Sequence, residues 1–296
     1  MDIQQAINEF VLYCQVDRQL SKNTVKAYRQ DLGLLRKSLS GAAQSDVAVI
    51  ERGMLRGFLR EYHGQKPRTL KRKLASVRSF FKYLTCEKVI IEDPSETLEQ
   101  KIKLPKALPR TLPAGEPKRI LRKAHRRLKE NSSESIRCHL ELCVLELLYG
   151  TGVRVSELSA LDVGDVDLYY GSLRISGKGG KERIVPVFEG GAKEALREYL
   201  SFRSKGQGAL LLNRGGGRLS DQSIRSIVKK YSPNATPHMF RHTLATQLLS
   251  NGADIRFIQK LLGHSSIVTT AMYAHVEQKA QRRIIRSKHP RMGLVL

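Results

Sequence analysis

The sequence predicts a mainly α protein with a small antiparallel β-sheet, built as an N-terminal helical bundle followed by a C-terminal α+β unit. Three observations point there. Before residue 92, apolar residues recur at helical spacing in four segments, with no strand-like alternation between them. Between Glu92 and Pro117 stand Pro94, Pro105, Pro109, Pro113 and Pro117, half of the ten prolines, a density that no continuous helix tolerates. Beyond residue 162, short alternating runs flank a glycine-rich turn, the mark of a hairpin.

Each element follows from its own residues. Ile3, Ala6, Ile7, Phe10, Val11 and Cys14 form one face of a helix between Asp2 and Asp17, and Ser21 is placed to cap a second with Val25, Tyr28, Leu32 and Leu35 on one side. Gly41 stops it. Helices over Val49–Tyr62 and Thr69–Leu84 complete a bundle assigned to residues 1–92, and residues 93–115 read as an extended interdomain linker. From 116 to 296 the pattern gives helices at Glu116–Leu128, Ile136–Tyr149 and Val155–Leu161. Strands follow at Val163–Leu168, Leu173–Ser176 and Arg183–Val187, then mostly helix from Ala192, broken at Gly206, Gly215–Gly217, Pro233, Pro237, Gly252 and Gly263.

The 296 residues carry 52 Lys and Arg against 28 Asp and Glu, a net charge of +24. Residues before 105 contribute +7 and the rest +17. Such an excess strains a compact fold by self-repulsion and draws it to a polyanion. No apolar run is long enough to span a bilayer, no lipidation signal is present, and Met1–Phe10 lacks the basic start and apolar stretch of a signal peptide. A cytoplasmic protein that binds nucleic acid on both of its parts is therefore expected. Cys14, Cys86, Cys138 and Cys143 are scattered without a CxxC pair, which argues against a disulfide framework or a zinc ribbon.

Several groups of residues carry chemistry. Lys66, Arg68, Lys71, Arg72, Lys73, Arg78 and Lys82 crowd the fourth helix without an acid among them, so phosphate contact competes with a merely solvated face. Gly177-Lys178-Gly179-Gly180-Lys181-Glu182-Arg183 sets cations on a sterically bare turn but lacks the GxxxxGK[ST] spacing of a nucleotide loop. His238 and Arg241, three apart in a helix that opens at Pro237, share a face near the N-terminal N–H groups. His238 and His242 could hold zinc, but Met239 stands where a metalloprotease needs Glu. His264 follows Leu261-Leu262-Gly263, and Tyr273 lies in Thr269-Thr270-Ala271-Met272-Tyr273-Ala274-His275-Val276.

With Gly150-Thr151-Gly152-Val153-Arg154-Val155-Ser156-Glu157-Leu158, this set resembles the tyrosine recombinase (phage integrase) family, and within it the Xer type. The family's Arg in a GxR-x-SEL turn, hairpin Lys, H-x-x-R, L-G-H and terminal Tyr before x-H-V all stand here in order. The resemblance spans nearly the whole chain: residues 20–32 look like the family's N-terminal core-binding segment, and His289-Pro290-Arg291 like a Xer-type C-terminus. It implies catalytic roles for Arg154, Lys178, His238, Arg241, His264 and Tyr273, with Lys181 as the alternative hairpin lysine. It also implies that no metal or other cofactor is used, that the partner is double-stranded DNA with paired recombination sites, and that the working assembly on DNA is a homo-tetramer, or one shared with a related recombinase, without any membrane.

The implied chemistry agrees with first principles. A phenol of pKa ~10 attacks poorly at neutral pH unless cations stabilise its anion or a base takes its proton. Arg154 and Arg241 would hold the phosphate oxygens in place of a metal, His238 would bond the phosphate or accept the phenolic proton, His264 would add a donor, and Lys178 would protonate the leaving 5′ oxygen. Three rivals stay on the table. A metal-dependent nuclease would use Glu157, Asp162, Asp165 and Asp167. A type IB topoisomerase would share the tyrosine chemistry, and a non-catalytic DNA-binding regulator would share the basic surface. The apolar end Met292-Gly293-Leu294-Val295-Leu296 is expected to be buried, either on its own domain or, as the resemblance suggests, on a neighbouring protomer.

Overall fold

A computed structural model describes residues 1–39, 41, 46–98, 110–130, 136–177, 182–187, 190–203, 206, 208–263 and 285–290. The chain divides into two compact units, Met1–Ala107 and Leu108–Leu296.

The first unit holds α1 (Ile3–Val16), α2 (Lys22–Ser38), α3 (Arg52–Glu61) and α4 (Pro67–Cys86). Asp2 caps α1 by accepting from the Gln4 and Gln5 N–H groups, Ser21 caps α2, and Pro67 opens α4 where a missing N–H costs nothing. The helix expected from Val49 begins later, because Val47–Val49 forms a 3₁₀ turn and Ile50 and Glu51 are extended. Phe10, Leu32, Leu35, Leu55, Phe58, Val77, Phe80 and Phe81 interlock as the core, with Phe10 meeting Phe80 edge to face at 5.6 Å between ring centres.

Two departures from the sequence pattern bear on charge. Lys73, expected among the phosphate contacts, is 2% exposed. Its ammonium lies 3.5 Å from the buried Asp31 carboxylate and 4.1 Å from the centre of the Tyr62 ring, a carboxylate and a ring face together compensating its desolvation. Arg72 and the Ser76 hydroxyl also donate to Asp31. The expected linker is the second departure. At its start Arg52 donates to the Thr97 carbonyl and Arg78 to that of Leu98, whose side chain is buried, so residues 93–98 belong to this unit.

The second unit is built on α6 (Ile136–Thr151), which is buried on nearly every side from Cys138 onward. Around it lie α5 (Glu116–Glu130), α7 (Val155–Ala160), α8 (Gly191–Phe202), α9 (Asp221–Tyr231), α10 (Pro237–Ser250) and α11 (Ile255–Leu262). Strands β1 (Val166–Asp167), β2 (Ser172–Ser176) and β3 (Glu182–Pro186) form an antiparallel sheet in that order, with Leu173 opposite Val185 and Ile175 opposite Arg183. The first strand is shorter than the alternation of Val163–Leu168 suggested. Asp165 turns back to accept from the Asp162 N–H and winds Val163–Asp165 into a 3₁₀ turn. Leu112, at the other end of the expected linker, is buried here and its N–H donates to Thr243.

Residues 285–290 also pack on this unit. Ile285 and His289, one helical turn apart, are both buried, and the His289 ring lies 3.1 Å from the Gly150 carbonyl and edge-on to Tyr149. This part of the tail turns its apolar face to its own domain; the apolar end, 292–296, lies outside the described residues. Among the described residues no helix is long and apolar enough to cross a membrane.

Candidate active site

Two turns of the second unit aim basic side chains at one place, and a third offers them backbone carbonyls. After α6, Gly152 takes the left-handed conformation at φ +64°, and a Cβ there would lie 2.9 Å from side-chain carbons of both Leu244 and Leu262. The chain can reverse closely enough to present Arg154 as the N-cap of α7 only because residue 152 is glycine. Thr236 caps α10 through the Met239 N–H and Pro237 starts it, which puts His238 and Arg241 in its first turns. At the end of α11, Gly263 closes the helix at φ +65°.

Arg154, His238 and Arg241 line a single cavity of about 460 Å³ with Ser156, Arg225 and Lys229. Among the described residues no acidic side chain lines it, so its field favours an anion. Arg241 is 3% exposed. It donates to the Gly152 carbonyl at 2.8 Å and to that of Leu262, and burial followed by the Arg154 charge brings its pKa down to about 10, still cationic at neutral pH. Arg154 donates to Glu157 at 2.7 Å and to the Gly263 carbonyl at 3.0 Å. His238 has its pKa lowered by partial desolvation and then by His242, Arg241, Arg154 and Arg225, so the neutral imidazole, able to accept a proton, predominates at neutral pH.

Glu157, 8% exposed, stands behind these arginines. Its two oxygens take four hydrogen bonds: from the Arg154 N–H, from the Arg154 side chain, and from both terminal nitrogens of Arg183. Burial opposes its charge, but the Arg183 fork, the Arg154 backbone N–H and the nearby positive charge outweigh it and hold the pKa at about 2. The folded-state value thus lies below the ordinary value of 4.5. The stability this carboxylate contributes is therefore full above the unfolded value and lost as the pH falls through the folded one. Denaturant unfolding of the wild type and of Glu157→Gln should show a stability gap at neutral pH that narrows below about pH 4.5 and closes towards about 2. A gap unchanged by acid would contradict the carboxylate's role.

Of the six side chains expected to be catalytic, Arg154, His238 and Arg241 are brought together; Lys178, His264 and Tyr273, like the alternative Lys181, lie outside the described residues. The carboxylates a nuclease would use have other partners. Glu157 serves the arginines, Asp162 pairs with Arg218, Asp165 with Arg174, and Asp167 accepts from the Tyr170 N–H. Sequence reasoning passed over Arg225, Lys229 and Arg183 as site residues. Arg225 and Lys229, four apart on α9, had the signal of a shared helix face; Arg183 was hidden among the cations of a turn. Lys66, just before α4, and Arg68, Lys71, Arg72, Arg78 and Lys82 on it are exposed, and Arg68, Lys71, Arg78 and Lys82 fall on one stripe of the helix.

Residues 111–280 match the model of the Phage integrase family, and residues 7–88 that of the Phage integrase N-terminal SAM-like domain. The chain is 36% identical over 301 residues to the tyrosine recombinase XerC of Thermodesulfovibrio yellowstonii, covering 96% of each protein. It is 37% identical over 299 residues to the tyrosine recombinase XerD of Staphylococcus epidermidis, covering 96% of this chain and 98% of the relative. Its fold is similar to that of a lambda integrase dimer bound to a core site, with a TM-score of 0.68 at 19% identity over 92% of this chain and 100% of that one. It is likewise similar to the XerH site-specific recombinase bound to its difH substrate, with a TM-score of 0.65 at 22% identity over 93% of this chain and 84% of that one.

Proposed function

The chain belongs to the phage integrase family of tyrosine recombinases, with Xer proteins among its relatives, and from that premise we propose that it recombines paired short DNA sites through a 3′-phosphotyrosyl intermediate. The observation that carries this most strongly is the convergence of Arg154, Arg241 and His238 on one cavity that no acidic side chain lines among the described residues, with Arg154 and Arg241 also bonded to the end of α11, two residues before His264 in the sequence.

Two guanidinium groups holding the non-bridging oxygens stabilise the charge that builds up as the phosphorus is attacked, and they need no reorganisation when it forms. The Tyr273 oxygen bonds to phosphorus while the bond to the 5′ oxygen breaks. The phenolic proton passes to the neutral His238, Lys178 gives a proton to the departing 5′ oxygen, and His264 adds a donor to the phosphate. One phosphodiester is exchanged for another, so a 5′ hydroxyl from a second strand reverses the step without nucleotide hydrolysis. The exposed cations of α4, with Lys73 excluded by its burial, would follow the DNA backbone. Four protomers would synapse two sites, with the apolar end of the tail docking on a neighbour, in a cytoplasmic protein.

The test is incubation of the full chain with end-labelled, nicked duplex DNA carrying its site, found by mapping protected sequences across the source genome. A labelled species resistant to denaturant should form at the same rate with or without EDTA. Cleavage lost to the chelator and restored by Mg²⁺ would favour a nuclease; DNA binding without any adduct would favour a regulator.

A further inference from the structure

Three successive carbonyls at the end of α11 each accept from a different arginine. Arg183 Nε donates to Leu261 at 3.2 Å, Arg241 to Leu262, and Arg154 to Gly263 at 3.0 Å. The last carbonyls of a helix have no partner within it and form its negative end, so three cations here lock the position of the chain just before His264. Two of the three also line the anion-attracting cavity. Arg183 does not.

Its three nitrogens are committed elsewhere: Nη1 to Glu157 Oε1 at 3.0 Å, Nη2 to Oε2 at 2.8 Å, and Nε to Leu261. The side chain is 15% exposed. A Cβ on Gly263 would stand 3.0–3.1 Å from its guanidinium atoms. Arg183 belongs to β3, which pairs antiparallel with β2, and the Glu157 it grips also fixes Arg154 by both side chain and backbone.

We propose that Arg183 is a positioning residue of the strand-cleavage site: without touching the phosphate, it joins strand β3, the Glu157–Arg154 pair and the α11 end into one unit, and so sets the placement of Arg154 at the cavity. This rests on the recombinase function proposed above. An ammonium at the same place carries the charge but cannot make the planar two-pronged bond to a carboxylate together with a third bond at a fixed angle, so Arg183→Lys should fail as Arg183→Met does.

The experiment measures single-turnover adduct formation by the full chain on the nicked site duplex at saturating protein, alongside DNA affinity and thermal melting, for the wild type, Arg183→Met, Arg183→Lys, Glu157→Gln and the double variant Arg183→Met/Glu157→Gln. A misplacement of about an ångström costs roughly 10²-fold in rate. The rate should therefore fall about 10²-fold in both Arg183 variants, with affinity within about 3-fold of wild type. The double variant should be no slower than the worse single one, as for residues acting through one network. Wild-type rates in Arg183→Lys, the milder change that keeps the fold if Arg183→Met does not, would overturn the proposal. So would losses confined to melting temperature and adduct yield at an unchanged rate, or additive losses in the double variant. If the wild type itself forms no adduct, the recombinase function fails first; an active wild type with unaffected Arg183 variants would refute only the role of Arg183.

Discussion

Alanine in place of Arg154 or Arg241 is expected to slow covalent attachment to DNA by at least about 10²–10³-fold, the usual cost of losing one donor to a developing oxyanion. The two variants should part company in stability. Arg241 is buried, and its guanidinium satisfies the Gly152 and Leu262 carbonyls; removing it leaves both without that donor, at about 1–3 kcal/mol for each buried group left unsatisfied. The Arg154 side chain is 38% exposed, and the Glu157 carboxylate that accepts from it keeps three other hydrogen bonds, from the residue 154 N–H and from both terminal nitrogens of Arg183. Melting curves beside single-turnover rates check this: Arg241→Ala should lower both, Arg154→Ala chiefly the rate. Near-normal cleavage by either variant would remove that arginine from the proposed chemistry.

The largest effect is expected at Tyr273. Tyr273→Phe deletes one oxygen and no charge, so binding to site DNA should stay near wild type while adduct formation disappears, since no atom remains to bond to phosphorus. Gel-shift titration with the nicked-duplex assay measures both. A normal adduct yield would assign the nucleophile elsewhere.

Much of the fold was legible because helical periodicity is a local property. Phe10 and Cys14, or Leu32 and Leu35, announce the buried face of their own helix without reference to anything distant. What escaped the sequence depends on partners far along the chain. Its spacing to Val77, Phe80 and Leu84 puts Lys73 on the buried face of α4, but the carboxylate that makes burying its charge tolerable, Asp31, stands 42 positions earlier. The start of α3 was misjudged because Val47–Val49 continues the apolar pattern although its backbone makes only a 3₁₀ turn. At the site, Arg154, His238 and Arg241 stood out by motif. Arg183 did not, because a cation beside a glycine-rich turn looks solvated until β3 is seen to carry it to Glu157. The long separations of these contacts, 26 residues from Glu157 to Arg183 and 109 from Arg154 to Gly263, lie outside the reach of any periodic pattern.

The central claim is that a tyrosine of this chain becomes joined to the 3′ phosphate of a cleaved strand, and mass spectrometry of the purified adduct tests it most directly. After nuclease and protease digestion, the modified peptide should contain Tyr273 with its phenolic oxygen bonded to a residual 3′-linked nucleotide. A nucleotide attached at another residue, attachment through a 5′ phosphate, or cleaved DNA with no attached peptide at all would contradict it.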